Sequence, residues 1–305
     1  MEQLKKLRQK PRPTGAEAVG GMVARERRRH GQRLTARGSL RAFALIVAVL
    51  VTIVPTAAAQ ERALNQGHPV RLDDAYPIAA GDATLLLDSG VQTQAHRANR
   101  GAFLIDTQYA IMPNTQLSLG TVLTTTPHKT SDPGSGDLGV AARVLLGREA
   151  TFLPTMATQV SLGLPTGAGS RSVDVELKGL VTRTATLGLL PLAFHLNGAA
   201  QFRATHLGSD ERLLRYHLVA GSSLVVPQQA TTTLVGDVFA DEALTRGQAA
   251  TVGVELGFRH RLGPRVAFDG AVGTEVTGPR DRSPFFARVG LSIDFDLPAF
   301  RKPPP

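Results

Sequence analysis

The sequence predicts an all-β protein, a transmembrane antiparallel up-and-down β-barrel of about 12 strands. Period-two alternation recurs along residues 82–296, and no helical spacing is sustained there. The runs span about 11–14 residues, against ~5–6 in ordinary sheets and roughly 9–11 for a tilted membrane crossing. Their number is even, and short connections alternate with longer polar ones, as in bacterial barrels.

Residues 1–59 read as a signal peptide with a long basic N-terminal extension. The chain has a formal net charge of +9, which suggests a nucleic-acid partner. Residues 1–59 carry 12 Lys and Arg against 3 Asp and Glu, so all of that charge lies at one end. The charge therefore speaks of targeting, and no nucleic-acid partner is expected. The apolar run Ala42–Val54 is too short for a span of roughly 20 residues. It leads to small residues at Ala57 and Ala59, a signal-cleavage pattern. Translation from Met1 or from Met22 retains this pattern. With no cysteine, disulfides and thiolate metal sites are excluded.

Residues 60–81 form a periplasmic leader segment with little periodicity. Arg71, Asp73 and Asp74 keep it out of hydrocarbon, while Val70, Leu72, Tyr76 and Ile78 are too apolar for a solvated tail. The expectation is partial entry at the periplasmic mouth of the barrel.

The strands are expected at 82–95, 100–112, 115–126, 136–147, 154–165, 173–186, 191–204, 213–226, 231–242, 249–261, 265–276 and 284–296. In the tenth, Val252, Val254, Leu256 and Phe258 alternate with Gly253, Glu255 and Gly257. Alternation alone does not choose which face is inside. A soluble sandwich buries its apolar face, whereas a membrane barrel turns it to lipid. Strand length and a preceding signal select the barrel, and only closure pairs every backbone group in hydrocarbon. Residues 297–305 form a C-terminal tail.

That parity assigns the lumen-lining candidates Asp88, Asp106, Arg143, Glu176, Lys178, His195, Asn197, Arg203, Arg215, His217, Asp237, Glu255, Arg259, Asp269, Glu275 and Arg288. Inward Gly221, Gly253, Gly257, Ala271 and Gly273 leave room for a narrow pore or a plug. Phe194, Phe202, Phe103, Tyr109, Tyr216, Phe258, Phe268 and Phe295 face lipid. His195 and Asn197 invite a Ser-His-Asn hydrolase reading. The sequence places no serine beside them, so they read as polar wall and no enzyme is expected. His195 and His217 at one lumen level, without a third ligand, make a weak metal signal. No metal or cofactor is expected.

Arg288, Gly290, Ile293 and Phe295 resemble the C-terminal signal read by the barrel-assembly machinery, although a tail follows here. PVRLDDAYPIAAGDATLLLDSG at 69–90, SGDLGVAARVLLG at 135–147, HLNGA at 195–199 and LGPRVAFDGAVG at 262–273 resemble the outer-membrane transporter family named for the meta-pathway of phenol degradation. Asp88 and Asp237 stand where that family tends to have Glu, and Arg143 where it tends to have Lys. The resemblance implies an outer-membrane barrel of a Gram-negative bacterium, a passive channel or transporter for small organic, including aromatic, compounds. The expected partners are outer-membrane lipid, the assembly machinery and a small-molecule solute. The alternative is a closed structural or adhesive barrel without transport.

Overall fold

The computed structural model describes residues 69–95, 99–125, 135–168, 172–188, 190–204, 210–226, 231–280 and 282–296. Ala57, Ala59, residues 60–68 of the leader and the tail 297–305 lie outside the described residues. Twelve strands close into an antiparallel barrel: β1 (Asp82–Gln92), β2 (Arg100–Met112), β3 (Thr115–Thr124), β4 (Asp137–Gly147), β5 (Thr155–Leu164), β6 (Asp174–Leu187), β7 (Leu190–Arg203), β8 (Leu214–Val225), β9 (Thr232–Asp241), β10 (Thr251–Arg261), β11 (Val266–Thr277) and β12 (Phe286–Asp296). Each strand pairs with its sequence neighbours, and β1 closes on β12 from Asp82↔Asp296 to Gln92↔Phe286.

The strands run from 10 to 14 residues. Their ends fall within a few residues of the expected bounds. β1 stops at Gln92 rather than 95, because its partner β12 begins only at Phe286. Beyond that point the contacts pass to the loop, with the Thr93 and Ala95 amides donating to the Phe285 and Arg282 carbonyls.

Connections 113–114, 148–154, 188–189, 226–231 and 262–265 share one end of the barrel with both barrel termini. The longer connections gather at the other end. The 148–154 connection is the long member of the short set. Arg183 holds it by donating to the carbonyls of Ala150, Thr151 and Leu153 at 2.8–3.0 Å.

The hairpin of β10 and β11 shows which face is which. Leu256 is 68 % exposed on the outside, while its neighbour Glu255 is 1 % exposed on the inside. Val254, Phe258, Phe268 and Val272 share the outer face with Leu256. Leu117 and Leu119 on β3 and Val160 and Leu162 on β5 continue this apolar surface around the barrel. Such a surface is stable only against an apolar solvent, and the closed ladder leaves no strand edge unpaired within it.

Candidate functional site

The site is the barrel lumen, and residues 69–78 occupy it. This part of the leader has no regular secondary structure, yet Val70, Leu72, Asp73, Asp74, Ala75 and Ile78 are all buried. Wall side chains supply the hydrogen bonds that a neighbouring strand would otherwise give. The Arg71 amide donates to Glu255 Oε2 at 2.8 Å, the Asp73 amide to Asn197 Oδ1 at 2.7 Å and the Ala75 amide to Thr182 Oγ1 at 3.0 Å. An extended chain points alternate amides to one side, and residues 71, 73 and 75 do so here. Ile78 then donates to Gln116 Oε1 at 2.9 Å. Asn197 also donates to the Asp73 carbonyl at 3.0 Å, and Arg143 to the Asp74 carbonyl at 2.9 Å.

The leader lies deeper than the sequence suggests. Gln116 stands one residue inside β3 at the short-turn end, whereas Arg71 pairs with Asp241, the last residue of β9 at the loop end. The segment therefore crosses most of the barrel height instead of lodging at one mouth. Its apolar side chains fix that depth. Val70 and Leu72 pack with Val219, Val235, Phe239, Ala271 and Phe286. Ala75 packs with Leu145, Ala157 and Leu180 nearer the short turns. The inward glycines make these seats. A Cβ at Gly253 would stand 2.2 Å from the Phe239 ring, one at Gly273 2.3 Å from the Phe286 ring, and one at Gly257 3.1 Å from Val70.

Charge is paired at each level. Asp73 is 1 % exposed and accepts from Lys178 Nζ at 3.0 Å, with the Arg143 guanidinium at 3.5 Å. Asp74 accepts from the Thr182 hydroxyl at 3.1 Å. The Tyr76 and Thr155 hydroxyls are 2.6 Å apart. Glu255 accepts from Arg71 Nε at 3.0 Å and from Arg288 at 3.1 and 3.2 Å. Buried charges of this kind are tolerated only when paired and hydrogen-bonded.

The leader thus brings together Arg143, Lys178, Asn197, Glu255 and Arg288 from the predicted set. His195 joins them through Thr182, 3.1 Å from its Nδ1. Asp237 is cross-strand partner to Glu255 and lies in the same group. Glu176 stands 3.6 Å from Lys178 Nζ. Other candidates form separate contacts. Arg203 binds Asp174 at 3.0 Å, Arg215 donates to Gln201, and Glu275 accepts from the Ser283 amide at 2.6 Å. Arg259 lies 3.7 Å from Asp269 towards the short-turn end. Asp106 accepts from Gln108 at 3.1 Å, and Asp88 stands beside Gly290.

Two expectations about the histidines need correction. His195 and His217 do not share a level, because the β7–β8 register sets His195 opposite Gly221 and His217 opposite Ala199. His217 pairs instead with Asp241 at 3.0 Å. Among the described residues no group of three or more His, Asp or Glu side chains is placed to hold a metal. A serine does stand beside His195, since Ser223 Oγ lies 3.0 Å from its Nε2. Both residues are buried in the wall, so the pair acts as a hydrogen-bonded strut between β7 and β8.

Gln108, Gln116, Gln159, Thr182, Ser223, Phe239 and Asp241 also line the lumen, outside the set predicted from sequence. All lie on inward positions, where strand parity alone places them, and all but Asp241 lack a charge to mark them. Phe239 and Phe286 are the aromatics turned inward.

Above the leader, towards the loop end, a cavity of about 820 Å3 remains. It is lined by Arg71, Asp88, Arg100, Asp106, Asp174, Glu176, Lys178, Gln201 and Arg288, with apolar patches from Leu104 and Phe286. Its size suits a small molecule.

No protein-family model matches the chain, and no curated protein does. Solved structures do. An outer-membrane channel from Pseudomonas putida F1 is similar with a TM-score of 0.56 at 15 % identity, over 73 % of this chain and 98 % of that one. The NanC porin follows with a TM-score of 0.49 at 11 % identity, over 68 % and 98 %. The KdgM porin gives 0.46 at 14 %, over 69 % and 99 %. At such identity the likeness is one of fold: this chain is a closed 12-stranded antiparallel barrel, the fold of that outer-membrane channel.

Proposed function

We propose that the protein is an outer-membrane channel for small solutes, with residues 69–78 narrowing its lumen. The carrying observation is the cavity of about 820 Å3 left between the leader and the loop end. A barrel serving only as a wall has no need of such a space lined by charged and polar groups. In this reading the apolar outer face meets lipid, the short turns and both barrel termini face the periplasm, and the loops face outward. Residues 1–59 act as the export signal, cleaved after Ala59. Arg288, Gly290, Ile293 and Phe295 present the last strand to the assembly machinery. The family resemblance supports small organic compounds, aromatic ones included, as solutes.

Planar-bilayer conductance tests this reading. The purified chain is expected to give discrete single-channel steps, and aromatic carboxylates entering the lumen should reduce the current. A fully inserted protein that passes no current would overturn it. A second reading, a closed structural barrel, is favoured by the buried ion pairs that hold the leader across the lumen. The same measurement separates the two.

A further inference from the structure

Arg71 lies between two aromatic rings as well as against two carboxylates. Its guanidinium carbon stands 3.7 Å from the centroid of the Phe239 ring and 5.8 Å from that of Phe286. The two rings are tilted by 56° with centroids 6.2 Å apart, so they form two walls of a box. Carboxylates close the other sides. Glu255 accepts from Nε at 3.0 Å, and Asp241 pairs with a terminal nitrogen. Cations over aromatic faces within about 6 Å are attracted by the ring quadrupole. A planar guanidinium is the group that suits stacking and forked carboxylate bonding together.

The box belongs to the barrel, not to the leader. Phe239 and Asp241 lie on β9, Glu255 on β10 and Phe286 on β12. Gly253 and Gly273 give the rings their space. A third carboxyl group stands beside the box. Asp237 is 5 % exposed, with the Leu72 backbone amide beside its carboxyl group. It faces Glu255 across the β9–β10 pair, with Arg71 and Arg288 as its nearby cations. Without Arg71, Glu255 would keep only Arg288, and Asp241 only His217, as partners among the side chains described around the box. Access is open as well, because Arg71 and Phe286 both line the cavity.

We propose that the box formed by Phe239, Phe286, Asp241 and Glu255 is a binding site for guanidinium-bearing solutes, with Arg71 as its tethered occupant. As a binding site it stands on this geometry; as a station on a solute path it rests on the channel reading. A tethered group competes at an effective concentration of order millimolar or above. The intact protein therefore binds free guanidinium compounds weakly, and they in turn loosen the leader.

The test uses the full mature chain in detergent, with ethylguanidinium as probe and calorimetry as readout. Heat-modifiable migration on gels confirms that each variant is folded. Arg71→Ala is expected to bind ethylguanidinium at least tenfold more tightly than the unaltered protein. Adding Phe239→Leu or Glu255→Gln to Arg71→Ala is expected to remove at least tenfold of that affinity. Two variants are used so that a folding failure in one leaves the other decisive. Equal affinity of Arg71→Ala and the unaltered protein would overturn the proposal. So would binding that survives both added substitutions. Bilayer currents are recorded separately. Binding by Arg71→Ala with no current in any variant would remove the channel reading and keep the site. Current without binding would remove the site and keep the channel.

Discussion

Asn197 brackets the backbone of Asp73, accepting its amide at 2.7 Å and donating to its carbonyl at 3.0 Å. One wall amide thus performs the pairing that a neighbouring strand would supply. Asn197→Leu should leave both main-chain groups of Asp73 unsatisfied in a buried place, at a cost of about 1–3 kcal/mol. Amide hydrogen exchange in residues 71–78 should rise, while the barrel strands stay protected. Unchanged protection of the leader would show that its side chains alone hold it.

Asp73 carries the second hold on the leader. Asp73→Asn removes the counter-charge of Lys178 and Arg143. Breaking a buried pair from one side costs about 3–5 kcal/mol. The expected result is proteolytic cleavage within residues 69–80 under conditions that leave the unaltered protein whole. Lys178→Met in the same chain should restore part of the resistance, since the cation left with only the longer Glu176 contact at 3.6 Å is then gone.

Deleting residues 60–76 tests the leader as a constriction. Ala75 and its wall contacts near the short turns would be lost together with Arg71 and Asp73, while β1 keeps its pairing with β2 and β12. Single-channel conductance should rise, and heat-modifiable migration should persist. The same conductance with and without the segment would reduce it to a tether.

Leu256→Arg tests the outer face. Leu256 is 68 % exposed near the middle of β10. A charge there, facing hydrocarbon, should cost about 2–4 kcal/mol. Denaturant unfolding in phospholipid vesicles would register it. A loss below about 0.5 kcal/mol, the ordinary range for an exposed surface position in water, would place that face in water.

The barrel was legible in the sequence because lipid and lumen impose opposite demands on successive residues. Leu256 and Glu255 are adjacent in the chain and sit in opposite surroundings, and that contrast repeats in every strand. The depth of the leader was not legible. Arg71 finds Glu255 at 184 positions' remove, and nothing local to VRLDDAY marks that partner. Register was equally hidden. Parity alone places His195 and His217 on the inner face, but the β7–β8 offset sets them at different heights and brings Ser223 beside His195.

The leader does not end before the wall begins. From Ile78 it runs through Gly81, at φ 86°, straight into β1, and β1 is the strand that meets β12 to shut the ring. Plug and seam are one unbroken length of chain. The chain that fills the lumen is therefore continuous with the first strand of the ring, and its last strand closes against that same strand. Once the ring has shut, tension on the leader that its wall contacts do not hold passes into β1 and is shared between the β1–β12 and β1–β2 joints.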